Sequence, residues 1–193
     1  MATNTMQRQD RKLKLIWNVD RFRCQFADIE IAVASAQFPP FSANAVVEEQ
    51  DTSLVLGESN EITDPGNKPV WYFANKLQSL AALTPGEIIV RKSRPVRIQA
   101  IVHDLDQEPT CQEVWVEQAI EKIISVTNTH TIYSLQMPVL GTRYGDLETT
   151  QVILFVLKTL TLQRPTALRK LWLVTTEQEC ESVFQLLNSL LPN

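Results

Sequence analysis

The second half of the chain switches its hydrophobic period again and again, and this switching restricts the fold more than any other feature of the sequence. "EIIVRKS" and "VRIQAIVHDLD" have the β-branched, apolar texture of strands. "CQEVWVEQAIEKIISVT" follows, where Val116, Ala119, Ile120, Ile123 and Ile124 fall at i, i+3, i+4, i+7 and i+8, the single apolar stripe of a helix. The same alternation then repeats. "TIYSLQMPVL" is a strand and "LETTQVILFVLKTLTL" a helix apolar nearly all round; "LRKLWLVTT" is the last strand and "EQECESVFQLLNSLL" a closing amphipathic helix. Thr176 with Glu179 three residues later forms a capping-box pattern at the start of that helix. A strand that returns through a helix lies parallel to its predecessor, so the pattern predicts a layered α/β domain on a mixed, largely parallel central sheet.

The first half is more broken. Residues 1–11 are polar and aperiodic, as in a loose tail, and residues 12–193 are read as one domain. "KLKLIWNV" and "RFRCQF" alternate as strands do, and "ADIEIAVASA" continues the pattern as strand end or loop. The paired prolines of "QFPPF" stop regular structure, and "NAVVEEQ" is a short buried strand. Residues 48–67, "EEQDTSLVLGESNEITDPGN", carry six acids and no lysine or arginine and read as a long polar loop. "PVWYFANKLQSLAAL" reads as a helix with proline near its first turn.

Several chemistries lack their signatures. The formal net charge of −4 gives no basis for nucleic acid as the main partner. Cys24, Cys111 and Cys180 are far apart and odd in number, which suits a reducing compartment and fits no zinc spacing. "MATNTMQRQDRKLKL" has no signal-peptide core and the longest apolar run, "VILFVL", is too short for a bilayer, so a cytoplasmic protein without membrane contact is expected. There is no GxGxxG, no GxxxxGK[ST] and no HExxH. His103 at a strand end and His130 in a polar turn read as packing or surface residues. "RKSRPVR" is a solvated strand edge, and the four tryptophans are core. No metal or cofactor is expected.

One stretch does carry a chemical suggestion. In "QMPVLGTRYGDLETTQ" a strand ends at Gly141, two glycines bracket Thr142, Arg143 and Tyr144, and a helix follows. Strand, glycine-bearing loop and helix N-terminus together make an anion site. Two readings follow: the loop holds a phosphate, or it is a turn whose Arg143 faces solvent or pairs with the acidic segment.

With these pieces in order the chain resembles a macro domain, the ADP-ribose-binding module. "ADIEIA" resembles the family's Gly-Asp-Ile stretch, which would make Asp28 the acceptor for the adenine amino group, with Ile29 beside it. "NAVVEEQDTSLVLG" lies on the family's Asp-Ala-Ile-Val-Asn-Ala-Ala-Asn-Ser-Ser-Leu-Leu-Gly pattern, with Glu48 and Asp51 in place of its two asparagines. "ESNEITDPGN" stands where a glycine-rich first phosphate loop belongs and is a degenerate version of it. "MPVLGTRYGDL" resembles the second phosphate loop: Gly141, Thr142, Gly145 and Leu147 match, while Arg143 and Asp146 replace glycines. "TPGEIIV" and "VRIQAIVHD" match further segments, so the resemblance runs from about residue 12 to the end.

The resemblance implies a three-layer α/β/α fold and a ligand site formed by Asp28, Ile29, Gly141, Thr142, Arg143, Tyr144 and Gly145. It also sets three functions in competition. The chain is a diverged module binding ADP-ribose or a related nucleotide with little or no hydrolysis, a protein-interaction domain that kept the fold and lost the ligand, or an ADP-ribosyl hydrolase using Glu48 or Asp51 as its catalytic carboxylate.

Overall fold

Seven strands among the described residues form one mixed sheet, and its registers decide which residues meet. The computed structural model describes residues 22–54, 56 and 83–191. In chain order the strands are β1 (Arg23–Phe26), β2 (Ile29–Ala34), β3 (Ala45–Asp51), β4 (Ile88–Arg91), β5 (Val96–His103), β6 (Ser134–Pro138) and β7 (Lys170–Val174). They lie in the order β1-β2-β7-β6-β3-β5-β4. The five inner strands are mutually parallel, and β1 and β4 close the two edges as antiparallel strands. This is the mixed, largely parallel sheet that the alternation of periods predicts.

Three helices lie among the described residues: α1 (Glu113–Thr129), α2 (Thr149–Gln163) and α3 (Cys180–Leu190). All three cover the same face. Alternate residues of the strands (Ile31, Val33, Val47, Ile98, Leu135, Met137, Leu171 and Leu173) meet the stripes of Val116, Ile120, Ile123, Ile153, Val156, Leu160 and Leu187 in one core. Each such side chain contributes about 1.5–3 kcal/mol of burial, so the period pattern of the second half is also its main source of stability.

Two boundaries differ from the sequence expectation. "ADIEIAVASA" is a full strand from Ile29, paired on both sides, and not a strand end trailing into loop. The polar loop begins after Asp51 and not at Glu48, because β3 stays in parallel register with β5 through Asp51. The expected tail, the strand from residue 12, the helix at 69–83 apart from its last residue and most of the acidic loop lie outside the described residues.

The start of α3 modifies the expected capping box. Glu179 accepts the Thr176 amide at 3.3 Å, as such a box requires, but the Thr176 hydroxyl donates to the same carboxylate at 2.7 Å, and Thr175 adds a third bond at 2.9 Å. The bonds from Thr176 and then Thr175 hold the Glu179 carboxyl below its usual range. A depressed folded value means stability that is present above the ordinary carboxylate range and lost as pH falls through the folded value. Glu179→Gln is therefore expected to lower stability at neutral pH by about 0.5 kcal/mol, the low end for a cap because the group is exposed. Thermal melts of both proteins down to acid pH check this, the gap closing as Glu179 protonates.

Candidate functional site

The carboxyl ends of the parallel strands converge on the loop that follows β6. In an open α/β sheet this edge is where ligands bind, because helix N-termini and loop amides gather there. Val139 and Leu140 are buried and carry the chain to Gly141, whose φ of +74° lies in the left-handed region. A Cβ at Gly141 would stand 2.8 Å from Leu147 Cδ1 and 3.0 Å from Cys111 Sγ, so glycine is required both by conformation and by space.

From there the loop closes on itself. The Leu147 amide donates to the Gly141 carbonyl at 3.3 Å, and the Thr142 hydroxyl to the Val139 carbonyl at 2.7 Å. Within this ring the amides of Arg143, Tyr144 and Gly145 donate to no acceptor among the described residues. Three consecutive amides without an intramolecular acceptor are donors that an anion could engage. The Arg143 guanidinium lies over the Tyr144 ring, 5.1 Å from its centroid, and makes no ion pair among the described residues. It adds positive charge to the rim of the loop.

Beneath the loop is a buried polar pair that sequence reasoning missed. Glu49 Oε1 accepts the Gly141 amide at 3.0 Å and lies 2.5 Å from His103 Nε2. Glu49 is 8% exposed and His103 fully buried. A one-residue bulge brings them together: Gln50 pairs with Ile101 but Asp51 pairs with His103, so Val102 is extra on β5. The slip turns His103 onto the face that Glu49 shares, as bulges beside functional sites do. His103 Nδ1 is buried without a partner. A lone pair there costs less than an orphaned N–H, so the tautomer that fits is Nε2–H donating to Glu49.

Cys111 fills the space between this pair and the loop, in ladder contact with His103. Burial, and then the charge of Glu49, push its thiol up to about 12. Burial likewise pushes Cys24 up to about 11. Neither is a thiolate nucleophile at neutral pH.

The sequence-predicted residues divide cleanly. Gly141, Thr142, Arg143, Tyr144 and Gly145 lie together in the closed loop. Glu48 points to the opposite face of β3 and pairs with Arg97 at 2.6 Å. Asp51 is fully buried and accepts the amides of Ser53 at 2.6 Å and Leu56 at 2.7 Å, which fixes the turn after β3.

Asp28 and Ile29 are not brought to this edge. Asp28 sits in the β1–β2 turn beside Ala27 (φ +49°), at the amino end of β2, whereas the loop follows the carboxyl end of β6. The six residues of β2 separate those levels by about 20 Å. At the carboxyl end of β2 the buried side chain is Ser35, whose hydroxyl has no partner among the described residues. Among the described residues there is no cluster of three metal-ligating side chains and no helix long and apolar enough to cross a membrane.

Neither a protein-family model nor a curated protein matches the sequence. Solved structures do match in fold. A point mutant of the Oceanobacillus iheyensis macrodomain with ADPR superposes with a TM-score of 0.60 at 19% identity, over 86% of this chain and 96% of that one. The macro domain of ganglioside induced differentiation associated protein 2 gives 0.55 at 14% identity, over 80% of each chain. The macrodomain of Mycobacterium tuberculosis DarG gives 0.55 at 16% identity, over 76% of this chain and 98% of that one. At these identities the likeness is one of fold.

Proposed function

We propose that this chain, which has the macrodomain fold, binds ADP-ribose or a related nucleotide through the loop 141–145, with little or no hydrolysis. The observation that carries the reading is the closed loop itself, with the amides of Arg143, Tyr144 and Gly145 unbonded at the carboxyl edge of a parallel sheet. The O. iheyensis macrodomain with ADPR or ADP bound supports a nucleotide as the class of ligand. Asp28 is left out of the proposal, since its turn lies at the other end of the sheet.

The absence of turnover rests on the two carboxylates that stand in the family's asparagine positions. Glu48 is held by Arg97, and Asp51 by two backbone amides. A general base must reach a water or a substrate proton, and a carboxylate whose oxygens stabilise its own turn is poorly placed for that. A second reading, a protein-interaction domain that has lost its ligand, is favoured by one observation: the Gly141 amide is already taken by Glu49.

Isothermal titration with ADP-ribose at modest salt separates the two. The expected result is binding tighter than about 100 μM, which corresponds to more than about 5.4 kcal/mol, with no ADP-ribose released from a modified protein in a parallel assay. No heat at high protein concentration would sink the nucleotide reading and turn the search to protein partners.

A further inference from the structure

The base of the loop already holds an anion, and that anion belongs to the protein. It is the carboxylate of Glu49, near the end of β3. Here the carboxylate extends under the loop, accepts the Gly141 amide at 3.0 Å and is buried there with His103. The fitting His103 tautomer, Nε2–H with an unpartnered Nδ1, brings a hydrogen bond to Glu49 without a full positive charge. Among the described residues the nearest cation on the loop is Arg143, exposed and stacked on Tyr144. The negative charge of Glu49 is therefore felt by whatever the remaining amides hold, in surroundings that screen it weakly.

We propose that Glu49 is a specificity-determining residue, whose buried carboxylate makes the loop select singly charged, diester-type phosphates over doubly charged terminal ones. The inference rests on the nucleotide reading of the same loop. Its chemical basis is simple. Each phosphate of ADP-ribose carries one charge, whereas the terminal phosphate of ADP carries two at mildly alkaline pH. Repulsion from a fixed carboxylate scales with that charge, while the three amides offer both groups the same hydrogen bonds. The lost Gly141 donor acts in the same direction, because a dianion gains most from each additional N–H.

The test uses three ligands at pH 8: ADP-ribose, ADP, and the methyl ester of ADP on its terminal phosphate, which removes one charge with little change of shape. The wild-type protein is expected to bind ADP-ribose and the ester each roughly tenfold more tightly than ADP, the factor a nearby weakly screened charge produces. Glu49→Gln keeps an oxygen for both Gly141 and His103 and removes the charge, so that preference should fall to about twofold or less. Equal affinity of the wild type for ADP and its ester would overturn the inference while leaving nucleotide binding intact, and that comparison needs no variant to fold. An unchanged preference in a folded Glu49→Gln protein would overturn it as well. Binding by Glu49→Gln alone would overturn both, since the natural carboxylate would then close the loop to phosphates of either charge. No binding by either protein would overturn both.

Discussion

Gly141→Val is expected to destabilise the protein by about 3 kcal/mol, from two costs that act at one atom. Gly141 has φ +74°, where a Cβ crowds the neighbouring carbonyl; for a β-branched residue this costs about 1–2 kcal/mol. The same Cβ would stand 2.8 Å from Leu147 Cδ1, 3.0 Å from Cys111 Sγ and 3.2 Å from Val116 Cγ2, all packed at the head of α1 and the loop. Forcing a branched side chain into so filled a space adds about 1–3 kcal/mol. Denaturant titration gives the number directly. Arg143→Ala is the control: its guanidinium is exposed and stacks only on Tyr144, so it should cost less than about 0.5 kcal/mol. A loss below about 1 kcal/mol for Gly141→Val would mean that the loop relaxes and that its closed shape is not fixed by this glycine.

The contrast between these two residues also shows what the sequence could disclose. Period and punctuation expose backbone demands, so the stripe of α1, the β6–loop–α2 order and the need for glycine at 141 were all legible. Asp28 shows a short likeness and the hydrophobic period pointing to different places. "ADIE" matches a dipeptide of a family pattern, but Ile29, Ile31 and Val33 alternate onto the core face, so the strand begins at Ile29 and Asp28 falls in the turn before it. Period carried more structural information there than identity did.

Glu49 is the opposite case. Val47, Glu49 and Asp51 share one side of β3, so alternation alone places a carboxylate in the core direction. What makes such burial tolerable comes from His103, 54 residues on, and Gly141, 92 residues on. No local pattern announces those partners. The bulge that aims His103 is likewise a single-residue slip in register with no sequence mark.

That pair sets the second large effect. Glu49→Leu is expected to destabilise by about 3 kcal/mol, because it strands two buried donors, the Gly141 amide and His103 Nε2–H, at about 1–3 kcal/mol each, offset in part by the apolar side chain. His103→Leu removes one of the two bonds to Glu49 Oε1 and leaves the carboxylate with Gly141 as its partner, so its cost should be smaller, about 2 kcal/mol. Substituting both should cost less than the two separate losses combined, since the apolar pair leaves only the Gly141 amide unsatisfied. The expected coupling is about 1–3 kcal/mol by double-mutant cycle in denaturant. Additivity within about 0.3 kcal/mol would show that the two groups do not depend on each other in the folded protein, and that the carboxylate under the loop is held by something other than His103. Strong coupling would instead place the charge of Glu49, its burial and the conformation of the Gly141 loop in one cooperative unit, which is the condition for a fixed carboxylate to act on a ligand above it.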